Sequence, residues 1–284
     1  MARVAVVGVG AIGSVLAGQL ETTGAHKLVL CTRRPLSQLT IKTPDGVIRM
    51  EAPNLTDPAE ATPVDWVLVA TKVYDCAGAK LWLNQLCDAK TQIAVVQNGV
   101  EHRENFAPEW AVLPVVVDVP TERRADGSIL QRSQAVMRVE NTSIGKDFAD
   151  LFAGSPARVE LTDDFLTTVW NKLCINAAGV ISALTRKPAG VLDDRSLGEL
   201  ALGIIAECVA VGRAEGAKLD DAIGERILAS IRSGPPEAIN SLAADRLAGR
   251  PMEVDARNGV IVRLGEKHGI PTPLNRMAVA LLRA

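Results

Sequence analysis

The chain has 284 residues, 48% of them hydrophobic, with a formal net charge of −2. That length supports a sizeable core and two domains, and the near-neutral balance offers no field for nucleic acid or an anionic membrane surface. No run of about 18 apolar residues suggests a membrane span. The first strand-like segment begins at once, which leaves no room for a signal peptide, so a cytoplasmic protein is expected.

The opening run, Val4-Ala5-Val6-Val7-Gly8-Val9-Gly10-Ala11-Ile12-Gly13, reads as a buried strand turning on glycines into a helix. Gly8 allows the tight turn, Gly10 lets a pyrophosphate approach the backbone, and Gly13 lets helix and strand pack closely. The helix N-terminus then faces the phosphates with free N–H groups. Ser14 to Leu20 suits the helix, Gly24 its end, and Lys27-Leu28-Val29-Leu30-Cys31 a second strand. The unit is βαβ and predicts a dinucleotide site of the Rossmann kind at Gly8, Val9, Gly10, Ala11, Ile12 and Gly13. Strand two ends in Thr32-Arg33-Arg34-Pro35, with no acid for a ribose 2′-hydroxyl. Two guanidiniums there suit a 2′-phosphate, so NADP(H) is expected, with Arg33 as the leading contact. A pair of solvated surface arginines is the plainer alternative.

Further along, Asp65–Ala70 reads as a third strand ending at Thr71-Lys72, and residues 76–90 as a helix. Gln92–Val96 is a fourth strand, ending at Gln97-Asn98-Gly99. Leu113–Val117 is a fifth, whose Pro114 points to a sheet edge. Residues 128–145 read as shorter antiparallel strands added at one side of the parallel sheet. Beyond Leu161-Thr162-Asp163-Asp164 strand signals stop. One helix runs through Phe165, Val169, Leu173 and Ala177, and others cover about 195–215, 220–232, 236–248 and 253–268. The expected fold is therefore α/β: a Rossmann-like doubly wound NADP-binding domain over 1–162, then an all-α substrate domain over 163–284. A ligand would sit between them at the carboxyl ends of the strands.

Several polar residues mark candidate chemistry. Lys72 and Asn98 close strands three and four, although Asn98-Gly99 would also suit an ordinary turn. Lys172 and Asn176 are four apart on one helix face. Glu253 opens the last helix, where the helix dipole alone would favour it. Reducing a ketone with a nicotinamide hydride leaves an alkoxide that must gain a proton, and a lysinium both supplies it and stabilises the charge. His26, His102 and His268 are poorly placed for that role, so Lys172 is the expected proton donor. The five cysteines form no CxxC pair and do not cluster with histidine, so reduced thiols and no metal site are expected. Cys174 is read as packing.

Together these elements resemble the ketopantoate reductase (2-dehydropantoate 2-reductase) family. The matching segments are GVGAIG at 8–13, Thr71-Lys72, Gln97-Asn98-Gly99, WNKLCIN at 170–176, Ser241 and MEVDARNG at 252–259, in order over nearly the whole chain. The resemblance implies an NADPH-dependent reduction of ketopantoate to pantoate on the way to pantothenate and coenzyme A. It implies Lys172 as proton donor, Asn98 beside nicotinamide and substrate, and Lys72 beside both. Asn176 and Ser241 would hold substrate, and Glu253 the nicotinamide ribose. Arg33 falls at the family's 2′-phosphate arginine, allowing for one inserted residue. Two positions depart from the pattern: Val180, and Ala189 beside Pro188, stand where better-known members carry asparagines. Val180 lies four residues past Asn176 on the same expected face, so a paralogue reducing another 2-oxo acid is the alternative. A non-catalytic nucleotide sensor would not need the lysine. The apolar C-terminal helices would suit a homodimer, and a monomer burying them internally fits as well.

Overall fold

The computed structural model describes residues 1–284. The first part runs β1 Arg3–Val7, α1 Ala11–Glu21, β2 Lys27–Cys31, β3 Leu39–Thr43, β4 Gly46–Met50, β5 Asn54–Leu55, β6 Trp66–Val69, α2 Cys76–Leu86 and β7 Gln92–Val95. It continues with β8 Leu113–Pro114, β9 Val116–Asp118, β10 Thr121–Arg123, β11 Ile129–Gln131, β12 Val136–Glu140, α3 Ser143–Leu151 and β13 Arg158–Thr162. The second part holds α4 Phe165–Ala178, α5 Val180–Thr185, α6 Arg195–Ala214, α7 Ile223–Ser233, α8 Ser241–Leu247, α9 Val260–His268 and α10 Pro273–Arg283. The chain divides into two compact units: residues 1–97 with 101–165, and residues 98–100 with 166–284.

In the first unit, six parallel strands form one sheet in the order β5-β2-β1-β6-β7-β8. Parallel strands are covered on both faces, and here the alternation of β1 sorts its side chains between two cores. Val4 and Val6 pack with Leu16 and Leu20 of α1 and with Trp66 and Leu68. Ala5 and Val7 pack with Val67, Val69, and Leu83 and Leu86 of α2. Trp66 also meets Phe148 of α3, with ring centroids 5.7 Å apart. Strand order reverses at β1, so the carboxyl ends of β1 and β6 flank the switch point where such sheets take ligands. Pro114 does lie on an edge strand.

The antiparallel strands expected on one side of the parallel sheet build two separate sheets instead. β10 and β11 join β3 and β4 in a four-stranded sheet, while β12 lies between β9 and β13 in a three-stranded one. The β3–β4 hairpin rests on α1 where Gly18 leaves room for Ile41. Residues 143–145, the end of the expected strand region, instead open helix α3, because the Thr142 hydroxyl accepts from the Gly145 N–H and caps it.

In the second unit, α4 buries Trp170, Leu173, Cys174 and Ala177. These follow the i, i+3, i+4, i+7 spacing of one helical stripe. Trp170 lies against α6 where Gly212 has no side chain, and the Cys174 and Cys208 thiols meet at 3.5 Å. The helix expected over 236–248 starts only at Ser241, where the Asn240 side chain caps it by accepting from the Leu242 and Ala243 N–H groups. The helix expected from 253 enters through a π-helical turn, Asp255–Gly259, before α9. Wide turns of this kind concentrate at functional positions. α10 was not anticipated by the periodicity.

Candidate functional site

In the first unit the glycine loop follows the logic of its spacing. Gly8 has φ +91°, and a Cβ there would lie 2.7 Å from the Thr71 nitrogen. A Cβ on Gly13 would lie 2.2 Å from the Gly8 carbonyl oxygen, whereas one on Gly10 would meet nothing within 4 Å. The first and third glycines thus close the turn and pack helix on strand. The second leaves open space above the backbone. No side chain caps α1, whose N-cap is Gly10, so its first N–H groups have no side-chain acceptor. Such an end suits an anion, and the open cradle fits a dinucleotide pyrophosphate.

Two supports of this loop escaped the sequence reading. The Arg123 guanidinium donates to the Val9 carbonyl at 2.7 Å. The Gln97 amide donates to the Thr71 carbonyl at 3.0 Å and to the Thr71 hydroxyl at 3.1 Å, fixing the strand end against Gly8. Lys72 follows directly as N-cap of a short 3₁₀ turn, Val73–Asp75. Arg33 is open to solvent, its side chain 87% exposed, with Asp75 at 3.6 Å. His102 is buried, and its Nε2 lies 2.9 Å from the Gln97 carbonyl. A carbonyl only accepts, so this nitrogen carries the proton. Burial holds the ring below its ordinary pKa, which makes His102 a neutral strut.

In the second unit a chain of side-chain hydrogen bonds joins residues distant in sequence. The Asn176 amide donates to the Asn98 oxygen at 3.3 Å, and the Asn98 amide donates to Glu253 Oε2 at 3.0 Å. Asn98 is therefore more than a turn residue. The turn itself falls to Gly99, whose φ is +97° and whose missing Cβ makes room for the Ala256 carbonyl. Lys172 lies one helical turn before Asn176 on α4, and both are half-buried.

The face expected to run through 172, 176 and 180 is interrupted. α4 closes at Ala178, Gly179 makes a turn, and Val180 begins α5 fully buried. The physical reason lies beside Gly179. A Cβ there would sit 3.0 Å from Arg257 Nη2 and 3.1 Å from Asn240 Nδ2, and Asn240 donates to the Gly179 carbonyl at 2.9 Å. Two polar side chains take the space at the break, and Val180 turns into the core. Ala189 bonds through its N–H to the Ala238 carbonyl at 2.8 Å.

Arg257 is the main residue the sequence reading missed. It is buried, donates to the Asn176 carbonyl at 2.6 Å, and reaches Ser241 Oγ at 3.5 Å. Its signal was present: it lies four residues after Glu253, among apolar Val254, Ala256, Val260 and Ile261. Ser241, unremarkable by itself, is the first residue of α8, and its hydroxyl meets this guanidinium. Asn258 is buried as well and ties the Ala177 carbonyl of α4 to Asn275 of α10.

Comparison with known proteins gives concordant results over both units. Residues 4–143 match the family model "Ketopantoate reductase PanE/ApbA", and residues 164–284 match "Ketopantoate reductase PanE/ApbA C terminal". The chain is 45% identical to a 2-dehydropantoate 2-reductase of Caulobacter vibrioides, covering 100% of this chain and 99% of that one. It is 37% identical to a 2-dehydropantoate 2-reductase of Mycobacterium tuberculosis, covering 99% and 97%. The crystal structure of a PanE/ApbA family ketopantoate reductase from Ralstonia eutropha JMP134 superposes with a TM-score of 0.90 at 31% identity, covering 99% and 97%.

Proposed function

The chain belongs to the ketopantoate reductase family, and from that premise we propose that it reduces 2-dehydropantoate to pantoate with a nicotinamide dinucleotide, preferring NADPH. The observation that carries this reading is the Asn176–Asn98–Glu253 hydrogen-bonded chain with Lys172 one turn away on α4. A purely nucleotide-binding protein has no use for a lysine and two amides so arranged.

The cofactor's residues are those of the glycine loop, Gly8 to Gly13, with Lys72, Asn98 and Glu253 toward its nicotinamide end. Arg33 at the end of β2 would take the 2′-phosphate that distinguishes NADPH. Its exposure and the absence of an acid at Thr32-Arg33-Arg34 support that assignment. When bound, the reduced nicotinamide supplies a hydride to the substrate's keto carbon. Lys172 supplies the balancing proton to the keto oxygen, and its positive charge favours the developing alkoxide before the proton moves. Asn176 and Ser241 hold the 2-oxo acid, and Glu253 fixes the Asn98 amide by accepting from it. None of the five cysteines is in a disulfide, which supports a reducing compartment, the cytoplasm.

The test is NADPH oxidation, followed by its near-ultraviolet absorbance, with ketopantoate and a panel of other 2-oxo acids. Saturable turnover with ketopantoate, well above the panel, is expected. NADPH binding with turnover of a different oxo acid would favour the second reading, a reductase of another carbonyl acid. The apolar Val180 and Ala189, at positions where the family resemblance places asparagines, are the observation on its side.

A further inference from the structure

Arg257 is a charged residue only 2% exposed, and its hydrogen bonds go to no carboxylate. Nη2 donates to the Asn176 main-chain carbonyl at 2.6 Å, Nη1 approaches Ser241 Oγ at 3.5 Å, and Nε has no partner. A guanidinium has five N–H donors, so most of its capacity is unspent. The two nearby acids have other hydrogen-bond partners: Asp245 accepts from Arg250 at 2.9 Å and Glu253 from Asn98 at 3.0 Å. They favour the charge on Arg257 through space, while burial pushes its pKa down to about 10, so it stays a cation at neutral pH. Burying an incompletely paired cation is costly, and sites that bind anions are where proteins accept that cost.

The surroundings narrow the ligand. Ser241 is exposed and Asn176 half-buried, so the groups touching the guanidinium lead from it toward solvent. Asn176 shares a helix face with Lys172, one turn away. Gly179 is the gap that lets the guanidinium sit there, since a Cβ would stand 3.0 Å from Nη2. A planar guanidinium is the best match in proteins for a carboxylate, which it holds through two parallel bonds.

We propose that Arg257 binds the carboxylate of the 2-oxo acid, with Ser241 sharing it. The inference rests on the functional reading above and adds the group that selects an acid over a neutral ketone.

The experiment compares wild type, Arg257→Gln and Arg257→Lys on ketopantoate and on its uncharged lactone, with NADPH. Glutamine removes the charge but retains a donor for the Asn176 carbonyl, and lysine retains the charge. Arg257→Gln should raise KM for ketopantoate at least 30-fold, leave the lactone within about threefold, and leave NADPH affinity unchanged. Arg257→Lys should recover part of the preference for the acid. Equal losses on acid and lactone, or a ketopantoate KM within threefold of wild type, would overturn the proposal and leave Arg257 as a clamp on α4. Failure of the functional reading looks different, because wild type would then consume no NADPH with ketopantoate. Calorimetric titration of each protein with ketopantoate in the presence of NADP⁺ decides that case. Binding to wild type that Arg257→Gln abolishes keeps the carboxylate site, and no binding to wild type removes it.

Discussion

The glycine loop after β1 and the cluster around α4 are built on opposite principles. The loop works by what is missing: three side-chain-free residues within six positions leave backbone alone to line the turn, with Gly8 and Gly13 filled by neighbouring backbone and Gly10 left open. The α4 cluster works by what is present, and its members come from residues 98, 172, 176, 241, 253 and 257. The first is a local device that tolerates no added atom at Gly8 or Gly13. The second is a long-range assembly of side chains brought together from distant parts of the chain. Variants in the loop should therefore change cofactor affinity and folding together, and variants in the cluster should change one kinetic quantity at a time.

The largest effect expected is at Lys172. Lys172→Ala should lower kcat by about 10²–10⁴, the usual worth of a positioned general acid, with NADPH affinity unchanged in a fluorescence titration. Next comes Gly13→Ala. Its methyl group would press on the Gly8 carbonyl, which sits 2.2 Å from the Cβ position. Overpacking of this kind costs about 1–3 kcal/mol. A lower melting temperature and a weaker NADPH Kd should appear together, and a variant that weakened neither would break the comparison.

Arg33→Ala sharpens it from the other side, since this arginine is a side-chain device attached to a backbone site. NADPH affinity should fall about 10- to 100-fold, as for the loss of a charge-assisted bond of about 1.5–3 kcal/mol, with NADH affinity unchanged. Equal effects on both cofactors would contradict its role.

The smallest effect concerns His102. Its folded pKa is depressed below 6.5 by burial. On acidification the unfolded chain takes up the proton first, so the neutral ring's contribution is present above the unfolded value and is lost as pH falls toward the folded value. His102→Gln can still donate to the Gln97 carbonyl. It should flatten the fall of melting temperature between neutral and mildly acidic pH by about 2–4 °C, the shift for roughly 1 kcal/mol in a chain this size.

The same contrast explains what could be read from the sequence. The βαβ unit was legible because its signals are local: strand, glycines, helix and strand fall within Arg3–Cys31, and β2 has the bounds its apolar run suggested. Lys172 and Asn176 stood out because a helix puts residues four apart on one face. Arg257 did not, because its meaning depends on Asn176 and Ser241, 81 and 16 residues away. Val180 was misplaced because helical spacing was continued through Gly179, where Arg257 and Asn240 occupy the gap. The side sheets were misassigned because short polar strands state their own periodicity and not their partners, and β11 pairs with a hairpin some 90 residues earlier.

The most direct test of this account is a matched pair of experiments on Lys172→Ala and Gly13→Ala. NADPH titration is followed by single-turnover hydride transfer to ketopantoate at saturating NADPH. Lys172→Ala should bind NADPH like wild type and transfer hydride at least 100-fold more slowly. Gly13→Ala should bind NADPH weakly and, once saturated, transfer hydride within a few-fold of wild type. Hydride transfer at the wild-type rate in Lys172→Ala, or parallel loss of binding and transfer in both variants, would contradict it.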